Sequence, residues 1–206
     1  MRIFDLTKVY DRETFSDFLS DFLPDDFERE SEEIYYNFTN MEEGFRLGSC
    51  KSLDLDVFEF RTKSARDPRV TLTREVVSCM KKYSYAPNAL VVFYAKDSTA
   101  WRFSLITTDY SIEKGKVKTE FSNPRRFSFK LGKDCKRHTP EQMLFTKGAV
   151  TTLDDLKSRF DIEVVTKEFY NELFAWYTWA CEKVTFPTGD TTKNSKGKYN
   201  ARQTKE

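Results

Sequence analysis

Leu53-Asp54-Leu55-Asp56-Val57-Phe58-Glu59-Phe60-Arg61 is the stretch on which the fold turns. Leu53, Leu55 and Val57 alternate with Asp54 and Asp56, the period of a strand with one buried face. The alternation then slips at Phe58 and Phe60, which reads as a β-bulge or a strand end. Glu59 and Arg61 fall on the same face as Leu53, Leu55 and Val57. A carboxylate and a guanidinium turned toward an apolar face need partners, because an uncompensated charge there is costly.

Upstream, residues 11–23 read as a helix with Phe15, Phe18, Leu19 and Phe22 on one face, Asp11 as N-cap and Pro24 as the stop. A second helix is expected from Asp25 to Asn40, with Phe27, Ile34, Tyr35 and Phe38 inward and Glu28, Glu30, Glu32 and Glu33 in solvent. A short strand, Gly44 to Cys50, precedes the quoted stretch.

Downstream, Asp67-Pro68 opens a helix that runs to Tyr83 and buries Val70, Val77 and Met80. Asn88 to Ala95 reads as a buried strand, and Ala100 to Thr107 as its hairpin partner. Lys116 to Phe121 and Arg125 to Leu131 are expected to form a more basic hairpin. Thr139-Pro140-Glu141-Gln142 has the form of a capping box, and helices are expected over 152–160 and 166–181. The second puts Phe169, Leu173, Trp176, Tyr177 and Ala180 on one broad face. The order implies a mixed α/β fold, a central mixed sheet flanked by helices. Residues 1–150 would form the main domain, 151–184 a helical extension, and 185–206, almost without apolar residues, a linker to further domains.

With 39% hydrophobic residues, 19 Phe and 10 Tyr, the chain has ample material for a core. No run approaches the ~20 apolar residues that span a bilayer, and Met1-Arg2-Ile3-Phe4-Asp5 lacks the apolar stretch of a secretory leader. Cys50, Cys79, Cys135 and Cys181 show no CxxC spacing, which speaks against zinc ribbons and disulfide frameworks and for a reducing cytoplasm. The single histidine, His138, sits among Lys136, Arg137 and Pro140, where an exposed loop residue is expected, so histidine-based hydrolysis is disfavoured.

The net charge of +1 conceals segregation. Residues 1–60 hold 6 Lys/Arg against 16 Asp/Glu, and residues 61–137 hold 18 against 7. A region so basic can neutralise phosphates and release their counterions; it can equally pair with the acidic block. Trp101, Phe103, Phe127 and Phe129 alternate with Arg102, Arg126 and Lys130, a pattern better suited to strands with a buried face than to a base-stacking platform.

Acids on a strand followed by a cation permit a metal-dependent nuclease core. The chemistry asks for Mg²⁺ on carboxylate oxygens, an activated water and a cation near the scissile phosphate. Glu59 and Arg61 supply an acid and a cation on one strand face, with Glu43, Asp54 and Asp56 as further candidate ligands. An acid-x-basic tripeptide also arises by chance. Arg69 and Arg74, with Arg125 and Arg126, are candidates for phosphate contact; pairing with acids such as Glu75 and Glu120 is the alternative.

Five stretches in order, Asp67-Pro-Arg-Val-Thr-Leu-Thr-Arg-Glu75, Asn88-Ala-Leu-Val-Val-Phe-Tyr94, Trp101-Arg-Phe-Ser-Leu-Ile106, Pro124-Arg-Arg-Phe-Ser-Phe-Lys-Leu-Gly132 and Phe169-Tyr-Asn-Glu-Leu-Phe-Ala-Trp-Tyr177, resemble the amino-terminal region of bacterial type IIG restriction–modification proteins. The resemblance covers about residues 45–180. It implies a restriction-endonuclease-like core of the PD-(D/E)xK class that cuts double-stranded DNA with Mg²⁺. Downstream methylase and target-recognition domains are implied in the same chain. S-adenosylmethionine is not expected to bind this region, because the methylase motifs are absent from it. The family's acid-x-lysine falls on Glu59-Phe60-Arg61, where Arg stands for Lys. A guanidinium stabilises charge but cannot act as a base. The resemblance carries the catalytic role onto Glu59 alone, since the family's upstream acid aligns with no one residue; Arg61 and Asp56 are taken as its catalytic partners, and Glu59, Asp56 and Asp54 as the candidate metal ligands. A non-catalytic DNA-binding or interdomain docking module is the alternative.

Overall fold

The computed structural model of the chain describes residues 4–64, 71–84, 86–113, 116–121 and 127–183, with 71, 109–113, 116–121 and 162–168 described by backbone alone. The chain divides into two compact units, Met1–Val165 and Thr166–Glu206.

The first unit is a mixed sheet with helices on both faces. Its elements are α1 (Arg12–Phe22), β1 (Phe27–Glu33), β2 (Met41–Cys50), β3 (Leu55–Thr62), α2 (Thr71–Tyr83), β4 (Asn88–Ala95), β5 (Ala100–Glu113), β6 (Lys116–Phe121), β7 (Ser128–Gly132), α3 (His138–Glu141) and α4 (Leu153–Phe160). A seven-stranded sheet runs β1-β2-β3-β4-β5-β6, and β7 also pairs with β5. Among the described residues only β3 and β4 pair in parallel, in unbroken register from Leu55↔Asn88 to Thr62↔Ala95. The crossover between them carries α2, as a parallel pair requires a long connection.

No parity slip occurs in β3. Leu55 and Val57 enter a core with α1, while Phe58 and Phe60 enter a second core with α2. A strand covered on both faces reads as a continuous apolar run, so the Phe-Glu-Phe pattern needs no bulge to explain it. The irregularities lie in the neighbour β2, between Met41 and Glu43 and between Arg46 and Gly48. Gly44 of β2 lies opposite Phe60, and a Cβ there would stand 2.5 Å from the Phe60 ring, so the close approach requires glycine.

The expected helix over 25–40 is replaced by β1 and an extended segment. The segment Phe27-Glu-Arg-Glu-Ser-Glu-Glu33 has almost no apolar residue to hold a helix against the core, whereas β2 offers it a ladder. As an edge strand, β1 keeps charges on both faces. Arg29 reaches Glu13 and Asp17 on α1, and Lys51 reaches Glu28. Ile34 and Phe38, just beyond it, enter the second core.

Other expectations hold with adjusted bounds. Asp11 caps α1 by accepting from the Thr14 amide, and Thr152 caps α4 through the Asp155 amide. In α2, Val77 and Met80 are buried, joined by Leu72, Val76 and Cys79; Asp67, Pro68 and Val70 lie outside the described residues. Strand β4 runs as read, and β5 extends to Glu113. Strands β6 and β7 do not form a hairpin with each other: β6 pairs with β5 over 108–113, and β7 with β5 over 100–104. Trp101, Phe103 and Phe129 are buried, the strand reading of the aromatic alternation. Thr139-Pro140-Glu141-Gln142 lies within helical structure rather than before it. Its helix begins at His138 without a side-chain cap and widens into a π-helical turn over Gln142–Thr146.

Helix α5 (Ile162–Lys183) begins in the last residues of the first unit and makes up the described part of the second, with Phe169, Tyr170, Leu173, Phe174, Trp176, Tyr177 and Trp179 exposed. No helix among the described residues is long and apolar enough to cross a membrane.

Arg159 on α4 closes the first core. Although 2% exposed, it donates to the carbonyls of Gly148 (2.6 Å) and Ala149 (3.1 Å), and it pairs with Asp155 (2.7 Å). Burial raises the pKa of Asp155, but the Arg159 bond and the Thr151 amide outweigh it and lower the value. Arg159→Met is expected to leave these acceptors without a donor and to lower stability by about 3–5 kcal/mol, read as a lowered urea midpoint with unchanged m-value.

Candidate functional site

The odd-numbered side chains at the end of β3 build the site. Glu59 lies level with Phe45 on β2 and Val92 on β4, and Arg61 with Glu43 and Tyr94. Cross-strand partners share a face, so Glu43, Glu59, Arg61 and Tyr94 line one side of the sheet near the carboxyl ends of the two parallel strands.

The Asp11 cap fixes where α1 begins, and the residues on either side of it reach Glu59. Tyr10 Oη donates to Glu59 Oε2. Arg12 donates to Oε1 twice, through Nε at 2.8 Å and through Nη2. The guanidinium lies 3.7 Å from the centre of the Phe45 ring. Tyr10 also packs on Tyr94 and Trp101, whose indole donates to the Lys8 carbonyl at 3.1 Å. The carboxylate is 1% exposed while Arg12 is 32% exposed, so Arg12 forms the outer wall of the pair.

Beside it, Arg61 pairs with Glu42 at 2.7 Å and Glu43 at 2.9 Å, and Tyr94 Oη makes a long contact of 3.5 Å with Glu43 Oε1. Two phenols record the local charge. Burial pushes Tyr94 up to about 12, with the Glu59 and Glu43 carboxylates adding to it. Burial first, then the charge of Glu59, holds Tyr10 well above the ordinary tyrosine value. For Arg12, burial opposes its charge, but the bonds and charge of Glu59 outweigh it and the pKa rises.

The sequence candidates separate. Asp56, 3% exposed, faces the other side of β3, where Arg46 donates to it at 2.8 and 3.3 Å and Ser84 donates to its other oxygen. Arg46 also holds Glu30 of β1 at 2.7 Å, so this cluster ties β1, β2 and β3 to the end of α2. Asp54 is exposed in a left-handed turn (φ 45°) after the 3₁₀ turn Lys51–Leu53. It lies at the opposite end of β3 from Glu59, about 16 Å away along an extended strand. Asp54, Asp56 and Glu59 therefore do not form one centre. Of the other candidate acids, Glu43, paired with Arg61, shares the Glu59 face.

As placed, Glu59 does not fit Mg²⁺. That ion takes oxygens with free lone pairs in a nearly ideal octahedron, and here three donors and a positive charge already meet the carboxylate. Arg74 is exposed on α2; Arg69, Arg125 and Arg126 lie outside the described residues. Glu75 accepts from the Thr39 and Asn40 amides, closing the segment before β2. His138 is exposed at the start of α3. Tyr10 and Arg12 escaped the sequence reading because 47 or more residues separate them from Glu59. One signal was present: a cation at the first position of a helix opposes the macrodipole, so Arg12 needed a carboxylate from elsewhere.

Removing Arg12 strands a buried anion, and Arg12→Ala is expected to cost about 3–5 kcal/mol. The double replacement Arg12→Met with Glu59→Leu should recover most of that in urea unfolding. Tyrosines with raised folded pKa stabilise fully below the unfolded value near 10. Stability should therefore fall as pH rises from about 10 to 12. Tyr94→Phe should flatten that fall, measured as urea midpoint against pH. No protein-family model matches this chain, and no curated protein does.

Proposed function

We propose that this chain is the nuclease-like domain of a restriction–modification protein, and that with Glu59 closed it engages duplex DNA without cutting it. The resemblance over residues 45–180 supports the family. The element order α1, β1, β2, β3, α2, β4, with Glu59-Phe60-Arg61 on an interior strand, supports the PD-(D/E)xK class of core. The surplus of Lys and Arg over 61–137 supports a polyanionic partner. The observation that carries the non-cutting reading is Glu59 itself, paired with Arg12 and hydrogen-bonded by Tyr10 while Asp56 faces the opposite side of the sheet.

Mg²⁺-dependent hydrolysis in the context of a full-length enzyme is the second reading. One observation favours it: Glu43, Glu59 and Arg61 share a face at the carboxyl ends of β3 and β4, where ligands of open α/β sheets bind.

The two readings part in one experiment. Anisotropy of a labelled duplex is expected to show log affinity falling linearly with log salt between about 50 and 200 mM, equally in EDTA and in Mg²⁺, with plasmid left intact. A salt-independent signal would remove DNA as the partner. Mg²⁺-dependent nicking lost in Glu59→Ala would establish the second reading.

A further inference from the structure

We infer that the aromatic face of α5 is the surface on which a second copy of this chain docks, so that the protein closes as a two-fold dimer. The inference is independent of the Glu59 face and of the DNA reading.

The distribution of exposed apolar side chains sets this helix apart. Among the described residues nine large apolar side chains are exposed, and seven of them fall within residues 169–179, at 44–71% exposure. The other two, Val9 and Tyr35, are single positions elsewhere in the chain. Phe169, Leu173, Trp176 and Ala180 recur at spacings of four, three and four, which brings them onto one helix face. Tyr170, Phe174 and Tyr177 repeat that spacing one residue on and widen the face. A helix apolar over such an arc is built for a packed interior rather than for water.

The area is that of an interface. A buried aromatic side chain covers roughly 150–250 Å². The six aromatics of this stretch are 55–71% exposed, which leaves on the order of 700 Å² of aromatic surface open. The largest patch on a typical monomer is ~300–600 Å², and each partner gives ~800 Å² to a standard interface.

The chemistry of the face selects the occupant. From Phe169 to Glu182 there is no Lys or Arg, and the charged residues are Glu172 and Glu182 alone. Nucleic acid and anionic lipid surfaces both call for cations that this stretch lacks. A second copy brings the same uncharged aromatic rows, and such rings pack against one another offset or edge to face. Phe169 and Tyr170 already meet edge to face within the helix, 5.8 Å apart. Because one patch serves both sides, the contact is isologous and closes at two copies.

The test is sedimentation equilibrium of the full chain across the micromolar range, for the wild type, Leu173→Glu/Trp176→Glu, Trp176→Gln and the control Tyr35→Gln. The wild type is expected at twice 24.3 kDa. On dilution its tryptophan emission should shift to the red as Trp176 and Trp179 return to water, since Trp101 is buried at 3% exposure. The double variant should raise the dimer dissociation constant by about 30-fold or more, the loss carried by one hot-spot aromatic. Tyr35→Gln should leave the mass unchanged. The inference is overturned if the wild type stays at 24.3 kDa at every concentration. It is equally overturned if the dimer survives the folded double variant, or if Tyr35→Gln dissociates it as well. Where the double variant does not fold, Trp176→Gln and the wild-type emission on dilution decide in the same way. A monomer that floats with phosphatidylglycerol vesicles would give the face to a lipid surface and also overturn it. Duplex binding by a chain that stays monomeric would leave the proposed function standing without this inference.

Discussion

Strand β3 lies in the interior of the sheet with apolar cores on both faces, yet it carries a carboxylate toward each. Burying an anion in such a place is tolerable only with a cation and hydrogen bonds delivered to it. Much of the first unit is arranged around those two deliveries. Asp56 receives Arg46 from β2 and Ser84 from just beyond α2. Glu59 receives Tyr10 and Arg12 from the start of α1. Each acid thus binds its strand to an element distant in sequence, and the two faces are closed by the same device.

The deliveries differ in what surrounds them. Around Asp56 the donors come from elements already held by backbone pairing and by Arg46's second bond to Glu30, so the cluster works as a weld between β1, β2, β3 and α2. Around Glu59 the donors come from Tyr10 and from Arg12 at the first position of α1, a segment held by the Asp11 cap, the Trp101–Lys8 bond and the Gly132–Leu6 bond.

Local pattern made much of this fold readable. The α1 cap, the buried run of β4, the α4 cap and the alternation in β5 and β7 all encode structure within a few residues. Where the reading failed, long-range pairing had prevailed. The acidic stripe over 27–33 suits a helix face as well as an edge strand, and only the ladder of β2 decides between them. The Phe-Glu-Phe sequence looked like a slip because one buried face was assumed, while the second core, with α2, lies some distance along the chain. The choice of Asp54 and Asp56 followed from proximity in sequence, which in a strand puts neighbours on opposite faces. Glu43 shares the Glu59 face through β2–β3 register, and no spacing along the chain announces that.

The pairing of Arg12 with Glu59 is also poorly explained by stability alone. Replacing a buried ion pair with apolar residues of similar volume is often neutral or stabilising, and Phe45, Val92, Phe103 and Trp101 already supply an apolar setting that would accept it. The Glu43–Arg61 pair nearby is more exposed, and exposed pairs contribute little. A fold needing only a filled core at this point has no use for four charges and two phenols converging at the edge of a parallel strand pair. What such a group does offer is charge pairing across elements, with Arg12 of α1 on Glu59 of β3 and Arg61 of β3 on Glu43 of β2.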